Sequence, residues 1–250
     1  MQLQELIDGF LDHCTIFTAV IALITVVFGL LGVLINVVSF FGLSVENISL
    51  LRIHSLNTYP LVHDGFLPFV LGLASILVLM PKFERRYGTL CTIALFFGFL
   101  EVIPAGFYLL ICYLFNSSTV YAGCGGWLFS FLTMYLLNLF DNLHPKLMTL
   151  SQNVRIGIAF AAPLLMLPLD FSTSFFLHIA AVATSVVFSL SFLDFLIPKV
   201  HWLVTIETKL SRFIDNVPNY VSVSEAVHYQ RAGGLPVHMQ DVNVPSGDVV

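Results

Sequence analysis

The stretch VYAGCGGWLFSF, residues 120–131, sets Gly123, Gly125 and Gly126 at the front of an otherwise apolar run. Glycine density of this kind marks backbone that approaches something closely, or a place where a side chain would obstruct. Three readings follow: an active-site turn, a helix-packing face, or an active site stripped of its chemistry. The surrounding chain decides between them.

Composition sets the first bound. Of the 250 residues, 58% are hydrophobic and 10% charged, and the mean hydropathy is +0.92. That is too apolar for an ordinary soluble domain. Apolar runs of about 20 residues, the length that crosses a bilayer, occur at 15–43, 61–80, 90–115, 120–140, 156–170 and 175–198. The fifth carries Pro163 and Pro168, which membrane helices tolerate when neighbours satisfy the freed carbonyls. The first run is too long, and its N-terminal flank too poor in positive charge, for a cleavable signal peptide. The expectation is an all-α membrane protein, a six-helix bundle over residues 1–198.

Lys82, Arg85, Arg86, Lys146, Arg155, Lys199, Lys209, Arg212 and Arg231 fall on one side of such a bundle, and Arg52 alone on the other. The positive-inside rule makes the crowded face cytosolic, with both termini on it. Two Asn-x-Ser sequons, at Asn47 and Asn116, then land on the lumenal face as candidate glycosylation sites. The formal charge of −5 is divided by the membrane, and no basic stripe offers a nucleic-acid surface. Cys14, Cys91, Cys112 and Cys124 lack metal-ligand spacing. Neither a metal nor a cofactor is implied.

Residues 199–218 place Leu203, Ile206, Leu210, Phe213 and Val217 at helical spacing. This predicts a cytosolic helix lying on the leaflet or packed on cytosolic loops. Residues 219–250 are poor in core side chains and read as a disordered cytosolic tail, whose partner the sequence does not identify.

In this topology the glycines begin the fourth span, and His178 lies just inside the sixth at similar depth. An ionisable residue within a span is a functional-site hypothesis by default. The run Gly123-Cys124-Gly125-Gly126-Trp127 facing such a histidine resembles the rhomboid intramembrane proteases. Their fourth helix opens with Gly-x-Ser-Gly, and their sixth carries the histidine of a Ser–His dyad. The entry RIHSLNTYPLVHDGF, the turn PKFERRYGT and the helix HWLVTIETKL extend the resemblance to about 200 residues, the last towards the fungal Golgi branch. The resemblance implies the six-span rhomboid fold and a Golgi or endoplasmic reticulum membrane.

Laid on the family's motifs, His178 stands at the base and Gly125 at the nucleophile position. Pro68 and Gly72 stand at the oxyanion positions, where the family has a His-x-x-x-Asn pattern. A glycine has nothing to attack with, and neither Pro68 nor Gly72 offers a side-chain donor. Cys124, one residue from the vacant position, is turned about 100° away on a helix. The resemblance therefore implies a pseudoprotease that binds transmembrane helices of client proteins, within membrane lipid, without cleaving them. An active rhomboid-type serine protease is the alternative. A small transporter using the intramembrane acid Glu101 is a second, with Asp194 the other acid near a span.

Overall fold

The computed structural model describes residues 14–140, 144–166 and 174–232. Six helices fall in order on the six apolar runs: α1 (Ile16–Leu34), α2 (Phe66–Tyr87), α3 (Thr89–Leu114), α4 (Gly125–Leu136), α5 (Gln152–Ala161) and α6 (Ser174–Ser189). Among the described residues α1, α2 and α3 are each long and apolar enough to cross a membrane, and α4, at 12 residues, is a shorter apolar helix. Large apolar side chains such as Leu23, Leu30, Val33 and Leu110 are exposed on the outer faces. That is the surface of a bundle solvated by lipid rather than water. The chain is an all-α, multi-span membrane protein.

Helix boundaries depart from the apolar runs for local reasons. The fourth run begins at residue 120, yet α4 begins at Gly125. Tyr121 instead pairs with Leu43, each N–H donating to the other's carbonyl at 2.8 Å. Gly123 follows at φ +139°, a conformation costly to any residue with a Cβ, and donates its N–H to the Tyr59 carbonyl. Helix α2 runs through Pro81 to Tyr87. Helix α3 carries a π turn at Phe96–Leu100, with Gly98 at φ −88°, ψ −118°. Of the fifth run, residues 167–170 lie outside the described residues.

The centre is packed around α6, which lies chiefly against α4 and α3. Small residues let the helices approach: Ala180, Ala181 and Ser185 are buried, and Ser130 Oγ reaches the Ala181 carbonyl at 3.5 Å. A Cβ on Gly126 would stand 2.9 Å from Leu177 of α6. Beneath the glycines an aromatic cluster of Phe83, Phe96, Trp127, Phe131 and Phe188 fills the interior.

One end of the bundle is tied by a single carboxyl. Glu84, fully buried near the end of α2, accepts from the Phe17 and Thr18 N–H groups at 3.1 and 3.0 Å. It also accepts from the hydroxyls of Thr15, Thr18 and Thr89. A helix's first N–H groups have no intrahelical acceptor, and an acid favours the helix N-terminus. Here the cap comes from another helix, so it joins α1, α2 and α3 at one point.

The C-terminal region corrects the expectation of disorder from residue 219. After α7 (Val200–Ile214) the chain returns to the bundle and forms α8 (Val223–Ala232). Ile16 N–H donates to the Asn219 carbonyl, Thr89 N–H to the Val221 carbonyl, and Gln230 Nε2 to the Arg86 carbonyl at 2.6 Å. Val223, Ala226, Val227 and Gln230 are buried, at the i, i+3, i+4, i+7 spacing of one helix face. Short as it is, this stripe covers the α2–α3 turn, where Gly88 at φ +81° leaves room for the Val223 backbone. Residues 233–250 lie outside the described residues.

Candidate active site

Pro68, Gly72, Gly125 and His178, distant in sequence, line one cavity of about 280 Å³ together with Tyr121 and Cys124. The bundle brings all four positions named from the family's motifs to one place. The side chains between them are Tyr121, Cys124 and their partners.

A Cβ built on Gly125 would lie 2.4 Å from His178 Nε2 and 2.9 Å from the Tyr121 hydroxyl. Position 125 therefore faces the histidine, as a nucleophile's position should. The space is taken: Tyr121 OH and His178 Nε2 are 3.1 Å apart, within hydrogen-bond reach. Phe129, one turn along α4, packs its ring 4.8 Å from the imidazole. The His178 nitrogen that would address a nucleophile instead meets a phenol fixed by the Leu43–Tyr121 bridge.

The side of the cavity at Pro68 and Gly72 is filled as well. A Cβ on Gly72 would lie 1.9 Å from Cys124 Sγ and 2.8 Å from His63 Nε2. Cys124, buried at the N-cap of α4, thus projects its thiol into the space a side chain at 72 would need. The thiol lies 3.1 Å from His63 Nε2, so its histidine is His63 and not His178. Pro68 is the third residue of α2, where an N–H has no intrahelical acceptor and its loss costs the helix little. Glu101 is fully buried, with neither carboxyl oxygen hydrogen-bonded, and it does not line this cavity.

His63 and Tyr121 were not singled out from the sequence. Tyr121 stands in the glycine-rich stretch itself and His63 in the TYPLVH run before α2. Each finds its partner only through a contact that joins segments more than 50 residues apart.

The model of the rhomboid domain matches residues 50–195, which take in all the cavity-lining positions just described. The chain belongs to the rhomboid family. An uncharacterized rhomboid protein of Schizosaccharomyces pombe is 56% identical over 211 residues, covering 84% of this chain and 81% of its own length. Rhomboid-type serine protease B of Aspergillus fumigatus is 32% identical, covering 92% of this chain and 85% of its own. Rhomboid-type serine protease 2 of Gibberella zeae is 30% identical, over 91% and 86%.

The two sequons of this rhomboid stand in unlike surroundings. Asn47 is buried, its Nδ2 donating to the Gly42 and Ser39 carbonyls and its Oδ1 accepting from Arg52. In the folded loop the amide a glycan would occupy is therefore already engaged. Asn116 is exposed at φ +49° beyond α3. Any N-glycan is therefore expected at Asn116 alone. A mobility shift on endoglycosidase treatment should vanish in Asn116→Gln and persist in Ser49→Ala, which removes the other sequon while keeping Asn47. Loss of the shift in Ser49→Ala would contradict this.

Proposed function

We propose that this rhomboid is a pseudoprotease of the secretory pathway. It receives transmembrane helices of client proteins and holds them without cleavage, in a Golgi or endoplasmic reticulum membrane with both termini cytosolic. One observation carries the reading. The place of the nucleophile is a glycine whose missing side chain would collide with a Tyr121–His178 hydrogen bond. A histidine engaged in this way has no proton to take from an attacking group, and no hydroxyl at 125 is there to be activated. The cavity keeps room for a segment of a client, and the close contacts of α4 and α6 keep the frame.

The orientation is supported by where the chain ends come together. The start of α1, the α2–α3 turn with Lys82, Arg85 and Arg86, and the returning segment before α8 share one end of the bundle. Arg52 lies in the loop before α2, with Asn47. This is the distribution that the positive-inside rule reads as a cytosolic and a lumenal face.

Two observations favour cleavage instead. Relatives from Aspergillus fumigatus and Gibberella zeae are named serine proteases, and Cys124 with His63 sets a nucleophile and a base within hydrogen-bond reach. Activity-based labelling of the purified protein separates the readings. The expected result is no labelling by a fluorophosphonate, which needs an activated serine, and no cleavage of a generic rhomboid substrate. Recovery of a crosslinked, intact transmembrane client is the positive arm. Fluorophosphonate labelling lost on mutating one serine would overturn the proposal in favour of a serine protease. Cleavage abolished by both Cys124→Ala and His63→Ala would overturn it in favour of a cysteine enzyme.

A further inference from the structure

Helix α7 has three faces rather than two. Val200 and Leu203 are buried against the bundle, and on the same side Glu207 accepts from Tyr220 OH at 2.8 Å and from Val223 N–H at 3.0 Å. A second face carries Trp202, Ile206, Leu210 and Phe213, exposed to 61%, 44%, 40% and 74%. At about 100° per residue these form one continuous stripe. The third face, with His201, Thr205, Thr208 and Arg212, is exposed and polar. A helix that only packs on a protein needs one apolar face, and here a second, fully formed, is left uncovered by the described residues.

Geometry says what covers it. The segment Asp194–Ile214 is bent by 92° from α6. If α6 crosses the bilayer, α7 runs in the membrane plane at the end where α6 emerges. Phe192 and Phe195 in the connecting segment are 69% and 79% exposed, so large apolar side chains stand outward on the connection as well as on the stripe. The charges are arranged to match. Lys199, Lys209 and Arg212 are exposed, while the helix's own acid, Glu207, is turned inward to Tyr220 and Val223. Asp215, exposed at the C-cap, is the acid adjoining them.

We propose that α7 is an in-plane membrane anchor that selects anionic lipid. Trp202, Ile206, Leu210 and Phe213 sit at the boundary between headgroups and acyl chains, and Lys209 and Arg212 hold the headgroups of anionic phospholipids beside them. This rests on the reading that α1–α6 lie in a bilayer with this end towards the anionic cytosolic leaflet. It is independent of whether the cavity cleaves. Helices with an apolar stripe and basic flanks bind in this way, tryptophan favours the interfacial depth, and each surface Lys or Arg strengthens attachment about fivefold near an anionic leaflet.

The full chain reconstituted into vesicles tests this through tryptophan fluorescence, because Trp127 is buried and the difference between the unmodified protein and Trp202→Phe isolates the Trp202 signal. Phosphatidylcholine brominated high on its acyl chains should quench the Trp202 component, while acrylamide should leave it bright. Brominated phosphatidylserine, present as the minority lipid, should quench more strongly than brominated phosphatidylcholine at the same fraction. The Lys209→Glu/Arg212→Glu double variant should lose that preference while keeping its folding temperature. Quenching by acrylamide and not by brominated lipid would overturn the proposal and make the stripe a docking face for a soluble protein. Equal quenching by the two brominated lipids in the unmodified protein would overturn the anionic selectivity. Labelling at the cavity, the test of the pseudoprotease reading, is unaffected by any of these outcomes.

Discussion

Glu84→Ala should lower the stability of the purified protein by roughly 4 kcal/mol or more, the range reached when a buried hydrogen-bond network is broken. Each bond to a charged acceptor contributes about 1.5–3 kcal/mol, with strong non-additivity. Here Thr15, Phe17, Thr18 and Thr89 all donate to the one carboxyl. Alanine leaves the Phe17 and Thr18 N–H groups and the Thr89 hydroxyl without this acceptor in a buried site, with the Thr15 and Thr18 hydroxyls left only each other at 3.0 Å, and it removes the cap of α1. In a thermal melt in detergent this corresponds to a fall in Tm on the order of 10 °C, taking 2–4 °C per kcal/mol for a chain of this size. Glu84→Gln should fall between the two, because one amide oxygen still accepts while the NH₂ group meets donors. An alanine variant that melts within about 2 °C of the unmodified protein, on the same scale, would mean that the carboxyl does not tie the three helices.

On the pseudoprotease reading, introducing a serine at 125 should leave the protein inert. The comparison is a hydrolase stripped of its nucleophile, where the loss in kcat is on the order of a millionfold. That gap should not close with Gly125→Ser alone, because the Tyr121 hydroxyl and His178 Nε2 already crowd the new side chain. Adding Pro68→His and Gly72→Asn should also fail, and should destabilise the fold, since a Cβ at 72 falls 1.9 Å from Cys124 Sγ. Overpacking of that kind costs about 1–3 kcal/mol. Tyr121→Phe and Cys124→Ala, added to the three substitutions, remove the Tyr121 hydroxyl and the Cys124 thiol from the two spaces and leave only the His178 and His63 rings to turn aside. Measurable cleavage is expected from that five-fold variant and from no smaller set. Cleavage by Gly125→Ser on its own would show that the site had kept its oxyanion stabilisation and lost a single atom group.

The sequence by itself determined the solvent and the class of fold. Six apolar runs with few charges leave the backbone no option in lipid but helices that satisfy themselves, and the glycine stretch with His178 pointed to the family. It also determined which chemical groups are missing, since a glycine at 125 or 72 carries no side chain in any fold. The stripe Val223, Ala226, Val227, Gln230 was legible as a helix face, yet overall composition hid it, because a face four residues long barely alters the average of a polar tail.

Only the tertiary structure decided what fills the space left by those missing groups. Cys124 and His63 lie 61 residues apart and Tyr121 and His178 lie 57 apart. No periodicity links such pairs, because hydrogen bonds between elements depend on how the elements cross rather than on spacing along the chain. The Leu43–Tyr121 bridge, which delays α4 to Gly125, is another pairing of distant segments. The surroundings of Asn47 follow the same rule: a sequon is a local pattern, while its burial comes from the carbonyls of Ser39 and Gly42 and the guanidinium of Arg52 folded around it. Covalent identity set which side chains positions 72 and 125 carry, and packing set which neighbours fill the space beside them.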